Sequence, residues 1–245
     1  MREKEPIPQS LKEVLETLDL LKLVAMKGQK EIREFSRYMM IWGTYAFLAT
    51  FTGAILGLNI WLPLLYPAFF LTTAPVAGWG ISLLTWVLAG LMVWGIWTLT
   101  HLGWLLILAI VLTATLSYFY LYGRAVKKGR VKPIPFKVMV GPKIGWSWGI
   151  LMGGMGLVFV TLIQHLPAST PWDFLSMTLW GYAVGVGLFI SGIMAPGFFW
   201  IGILGIFGIP LATSVNTTLG VWVYLAVAAA MVGYSFYLYR TSAEG

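Results

Sequence analysis

The chain predicts an all-α fold, a polytopic transmembrane helix bundle, and three observations carry that expectation. Two long blocks, residues 38–122 and 145–240, are nearly free of charge: no Asp, Glu, Lys or Arg occurs from Tyr38 to Tyr122, and only Asp173 from Ile144 to Tyr239. Each block is several times longer than the about 20 apolar residues that one span needs. Between them, residues 123–144 carry Arg124, Lys127, Lys128, Arg130, Lys132, Lys137 and Lys143 and no acid. Lys and Arg accumulate on the cytoplasmic side of membrane proteins, so this segment reads as a cytoplasmic loop. Composition agrees. The 245 residues are 59% hydrophobic and 10% charged, where a soluble domain carries about 25% charged residues.

Residues 1–37 form a charged arm. No apolar run occurs before about residue 38, much later than a secretory signal would place one, so the first span is expected to be an uncleaved signal-anchor. Ser10 and Glu13 have the spacing of a capping box. Beyond it Leu11, Val14, Leu15, Leu18 and Leu21 share one helical face, with Glu13, Glu16, Asp19 and Lys22 toward the other. Gly28 is expected to kink this helix. The arm then either lies on the bilayer or the basic loop, or docks a cytoplasmic partner. Its acids and bases nearly balance, which gives anionic lipid little hold on it.

The first block opens with a span that runs from Tyr38 to about Leu58. Residues 61–76 are apolar but short and contain Pro63, Pro67 and Pro75, which leaves a short span and a re-entrant hairpin both open. Trp79–Leu99 and Leu102–Tyr122 are two further spans. The second block offers Gly145–Leu166, Phe174–Ala195, Gly197–Thr213 and Thr218–Tyr239, with Pro210 inside the third. Residues 241–245 are a short tail.

The blocks look related. Phe119-Tyr-Leu-Tyr122 closes one and Phe236-Tyr-Leu-Tyr239 the other; Trp42-Gly43 opens one and Trp148-Gly149 the other; Trp79-Gly80 and Trp180-Gly181 mark internal spans. Two parallel repeats of four spans place the basic loop and both termini in the cytoplasm of a cell-membrane protein. The alternative of six spans, three plus three, puts the N-terminus outside, against the cluster of Lys27, Lys30, Arg33 and Arg37.

Chemistry-bearing motifs are few. The absence of cysteine excludes disulfides, thiolate metal sites and a cysteine nucleophile. His101 and His165 are the only histidines. They fall at the outer ends of spans in non-equivalent places, so neither haem nor a metal is expected, and no cofactor. The spans hold hydroxyls and amides but no buried acid or base except at their ends, which argues against proton-coupled transport and against an enzyme. One-turn glycine spacing at Gly53/Gly57, Gly149/Gly153 and Gly181/Gly185 points to helix packing, chiefly within the bundle and alternatively between copies. Asn216-Thr-Thr218 matches a glycosylation acceptor.

The leading expectation is a non-catalytic membrane subunit or anchor presenting the arm and the basic loop to a partner. The alternative is a permease or carrier for a neutral or lipidic substrate, with residues 61–76 and 197–213 lining the path. Membrane lipids are the nearest partner for the seven cations of the loop. RNA or a ribosome is the lesser one, because Phe136 alone is interleaved with those cations.

Overall fold

The computed structural model describes residues 9–58, 60–101, 103–130, 140–167 and 169–242. Side chains are described from residue 28 onward, apart from those of residues 103, 104, 140–143 and 146. Among these residues the fold is all helix, with no strand. Among the described residues six helices are long and apolar enough to cross a membrane: Trp79–Thr100, Leu105–Lys127, Ser147–His165, Trp172–Ser191, Pro196–Val215 and Thr217–Thr241. The chain is a multi-pass membrane protein. Two of the six come from the first block and four from the second.

Helix α1 (Gln9–Thr50) joins the arm to the first apolar stretch without a break, then widens into a π-turn at Phe51–Ile55. The helix runs through Gly28 without interruption. Glycine in a helix interior costs about 1 kcal/mol relative to alanine, too little to interrupt a ladder continued on both sides. Helix α2 (Trp61–Ala77) is one continuous 17-residue helix despite Pro67 and Pro75 inside it. Gly78 at φ +104° ends it and turns the chain into α3 (Trp79–Thr100), which His101 closes in the left-handed region.

Helix α4 (Gly103–Lys127) ends in a Schellman turn. The Arg130 amide donates to the Ala125 carbonyl (3.0 Å) and the Gly129 amide to Val126 (2.9 Å), with Gly129 at φ +66°. Helix α5 (Val140–His165) begins earlier than Gly145, with Pro142 in its first turn, where a missing N–H costs nothing. Helix α6 (Trp172–Ser191) precedes the pair α7 (Pro196–Ile203) and α8 (Ile209–Val215), joined by a π-turn at Leu204–Gly208. Pro210 offers no N–H to the carbonyl one turn back, and the wider turn ahead of it resets the ladder. Helix α9 (Thr217–Thr241) starts from Asn216, whose side chain accepts from the Thr218 amide at 2.7 Å. The residue of the acceptor motif is thus a helix cap.

The pairing of helices has a pattern. In the first block α1 packs on α2, α2 on α3, α3 on α4, and α2 on α4. In the second, α5 packs on α6, α6 on α7–α8, α7–α8 on α9, and α6 on α9. The blocks meet where the last helix of each lies against the first helix of the other, α4 on α5 and α9 on α1. The larger core joins Phe35, Met39, Ile144, Leu188, Phe198, Ile209, Val227 and Met231; the smaller joins Ala77, Trp86, Ala89 and Leu121.

In lipid, apolarity gives helices no drive to associate, so close packing and hydrogen bonds hold them. The contact of α6 with α7–α8 is of the first kind. A Cβ on Gly185 would lie 2.6 Å from the Gly205 carbonyl carbon, and one on Gly205 2.7 Å from the Gly185 Cα. Hydrogen bonds supply the second. The Trp86 indole donates to the Thr73 hydroxyl (2.8 Å), tying α3 to α2, and Trp148 donates to Ser191 (2.9 Å), tying α5 to α6. Both hydroxyls also donate to the carbonyl one turn back on their own helix.

Candidate functional site at the basic end

Every Lys and Arg whose side chain is described lies at one end of the bundle, in three places: the base of α1, the exit of α4 and the exit of α9. Contacts between helix ends define that end. On α1, Arg33 reaches Tyr239 of α9, and Phe35 meets the ring of Phe198 on α7 edge-on at 5.7 Å. The Arg130 guanidinium donates to the Ala77 carbonyl (3.2 Å), one of the acceptors that the end of α2 leaves without an amide of its own helix. Gly78 permits this approach, since a Cβ there would sit 2.6 Å from the Arg130 Nη1.

Of the loop cations, Arg124 and Lys127 stand in the last turn of α4 and Lys128 and Arg130 in the turn after it, where positive charge opposes the negative end of the helix dipole. Arg124 reaches the Tyr120 hydroxyl (3.4 Å), while its Nε is buried without a partner. Lys132 and Lys137 lie outside the described residues, as does the side chain of Lys143. The arm residues Leu11, Val14, Leu15, Leu18 and Leu21 are on the helical backbone of α1, and their side chains too lie outside the described set.

The cations before the first span, which the sequence offers as a topology signal, also line a cavity. Lys30, Arg33, Glu34 and Arg37 recur at intervals of three and four residues, hence on one face of α1. With Tyr239 of α9 they line a cavity of about 230 Å³. The Arg33 guanidinium lies over the Tyr239 ring, 5.0 Å from its centre, and reaches its hydroxyl at 3.4 Å. The Arg37 Nε is buried without a hydrogen-bond partner. The helical spacing of these four is visible in the sequence; that α9 closes the cavity is not.

The glycine pairs divide. Gly181 and Gly185 are packed tightly against Ile209 and the π-turn, whereas a Cβ on Gly53, Gly57, Gly149 or Gly153 would meet nothing within 4 Å. His101 and His165 are exposed at the end opposite the cations. The His101 ring packs edge-on against Trp97, and His165 Nδ1 lies 2.9 Å from the Thr161 carbonyl. Among the described residues no three His, Cys, Asp or Glu side chains come together as metal ligands would. Of the paired motifs, Trp42 and Trp148 stand on the first helix of each block and the Phe-Tyr-Leu-Tyr runs on the last. Trp79-Gly80 opens α3 while Trp180-Gly181 lies inside α6, so this pair occupies non-equivalent helices.

No family model, no curated protein and no solved structure matches this chain.

Proposed function

We propose that the chain is a non-catalytic membrane subunit that anchors a stiff cytoplasmic arm and holds it out to a protein partner. The observation that carries this reading is the unbroken course of α1 from Gln9 to Thr50. Its 42 residues span about 63 Å at 1.5 Å per residue. A helix lying in the bilayer plane needs a sharp bend where it joins a span, and such bends form at Pro, glycine–serine pairs or π-turns. The π-turn at Phe51–Ile55 follows this helix at its far end, inside the apolar stretch and away from the junction with the arm. The arm therefore projects from the membrane, and the apolar face of Leu11, Val14, Leu15, Leu18 and Leu21 is offered to a partner instead of to lipid.

The basic end is the cytoplasmic one, by the distribution of Lys and Arg. Eight crossings follow if the apolar half of α1 and the short α2 also span. Two parallel repeats of four are supported by the shared pairing pattern and by the positions of Trp42, Trp148 and the two Phe-Tyr-Leu-Tyr runs. The carrier alternative has less behind it. Thr72, Thr73, Ser191, Thr213 and Ser235 all donate to carbonyls of their own helices, and the π-turn at Leu204–Gly208 abuts the glycine face of α6 instead of a path.

A photo-crosslinking residue at Leu15 in native membranes should give a discrete protein adduct, and one at Glu16 should give much less. Lipid adducts from Leu15 in place of protein would mean that the arm lies on the bilayer. Lys128→Cys and Ser169→Cys should label from opposite faces of intact cells; labelling of both from outside would reverse the orientation.

A further inference from the structure

The cavity at the base of α1 has no role in that reading. We propose that it binds a phosphate group at the membrane surface. Lys30, Arg33 and Arg37 set three cations against the single acid Glu34, an imbalance that suits a ligand of one or two negative charges. The Arg37 Nε is a buried donor with no acceptor. Leaving such a donor unsatisfied is costly, and this one is available to an acceptor oxygen that enters the cavity. Guanidinium forks match phosphate oxygens in geometry, and lysine adds a point charge. Arg33 is already held against the Tyr239 ring, so little side-chain freedom is lost on binding.

Position narrows the source. Arg37 is the last charge before the block that begins at Tyr38, so the cavity lies where a charged helix enters the apolar layer, at the level of lipid phosphates. The volume of about 230 Å³ falls below the roughly 300 Å³ at which sites for drug-sized ligands begin. It suits a headgroup phosphate, with any acyl chains left outside. A bound phosphate would bridge α1 to α9 and fix the arm at its root.

Native mass spectrometry of the full chain, titrated with phosphatidylglycerol, with phosphatidylcholine and separately with inorganic phosphate, tests this. One equivalent of phosphatidylglycerol should bind, at least tenfold more weakly in Arg33→Gln/Arg37→Gln, with Lys127→Gln/Lys128→Gln unchanged. Glu34→Gln should bind more tightly by severalfold, a gain that misfolding cannot imitate. Displacement by inorganic phosphate at equal concentration would assign the site to a soluble phosphate; no displacement assigns it to the lipid. Equal loss in the loop variant, unchanged binding in the Arg33/Arg37 variant, or no tightening in Glu34→Gln would overturn the proposal.

Discussion

The two seams at which the blocks meet have matching places in the chain and different chemistry. At the α1/α9 seam, Met39, Val227, Ala228, Met231 and Ser235 are buried, and a Cβ on Gly43 would lie 2.9 Å from Val232. At the α4/α5 seam the nearest glycine contact is Gly156 with Ile107, 3.6 Å from a Cβ and so ordinary contact. Burial follows: 39% of the α9 span is buried inside the molecule, against 11% for α4 and 6% for α5. Both seams are apolar. What separates them is how closely the backbones approach, which is the term that decides association when the solvent is itself hydrocarbon. Helices α6–α9 and α1 therefore form the closely packed part of the bundle, and α5 rests on it chiefly through the Trp148–Ser191 bond and Ile144.

The largest break should come at the tightest contact. Gly185→Leu drives a side chain into the backbone of the π-turn, which cannot move aside as a side-chain tip would. A loss of at least about 3 kcal/mol, above the usual cost of overpacking, is expected. The readout is the yield of monodisperse protein and its Tm. A Gly185→Leu variant that melts like the parent would mean that α6 and α7–α8 do not pack as described.

Next come the apolar side chains. Met39→Ala in the α1/α9 seam should cost about 2–4 kcal/mol, as for other buried methionines. Ile150→Ala on α5, where Ile150 is 72% exposed, should cost within about 0.5 kcal/mol. Equal losses in thermal unfolding would show that α5 is covered by something outside this chain.

Much of this contrast was beyond the sequence. The apolar helical blocks were legible because they rest on composition alone. Pro67 and Pro75 nevertheless sit inside a continuous α2, since neighbouring helices and not the local chain decide whether a proline breaks a span. Glycine spacing marked three pairs, and only Gly181/Gly185 meets another helix, because spacing defines a face without saying what lies on it. The same limit hid the cavity. Lys30, Arg33, Glu34 and Arg37 share a face by spacing alone, but Tyr239 is 206 residues from Arg33. Gly28 does not end the helix, because its propensity is a weak prior against a helix continued on both sides.

A finer difference tests the indole bonds. Trp148 and Trp42 hold corresponding places, yet Trp148 donates to Ser191 while the Trp42 Nε1 is buried without a partner. Each Trp→Phe change removes similar volume, so the hydrogen bond is read as their difference. Trp148→Phe should cost about 1 kcal/mol more than Trp42→Phe. Equal costs would mean that the Trp42 N–H is satisfied in the membrane, most simply by water.

The smallest effect should have the opposite sign. A Cβ on Gly149 meets nothing within 4 Å, and Gly149 is exposed on the most exposed span of the six. With no clash to offset it, Gly149→Ala keeps the propensity difference between the two residues, at most about 1 kcal/mol in favour of alanine. The gain is smaller in a bilayer, where the helical state of a span is already enforced by its backbone hydrogen bonds. A Tm equal to the parent's or a few degrees higher is therefore expected, at any protein concentration. A lower Tm that recovers on dilution into excess detergent would identify the face of Gly149 and Gly153 as a contact between copies. The openness of α5 would then belong to the single chain and not to the protein in its membrane.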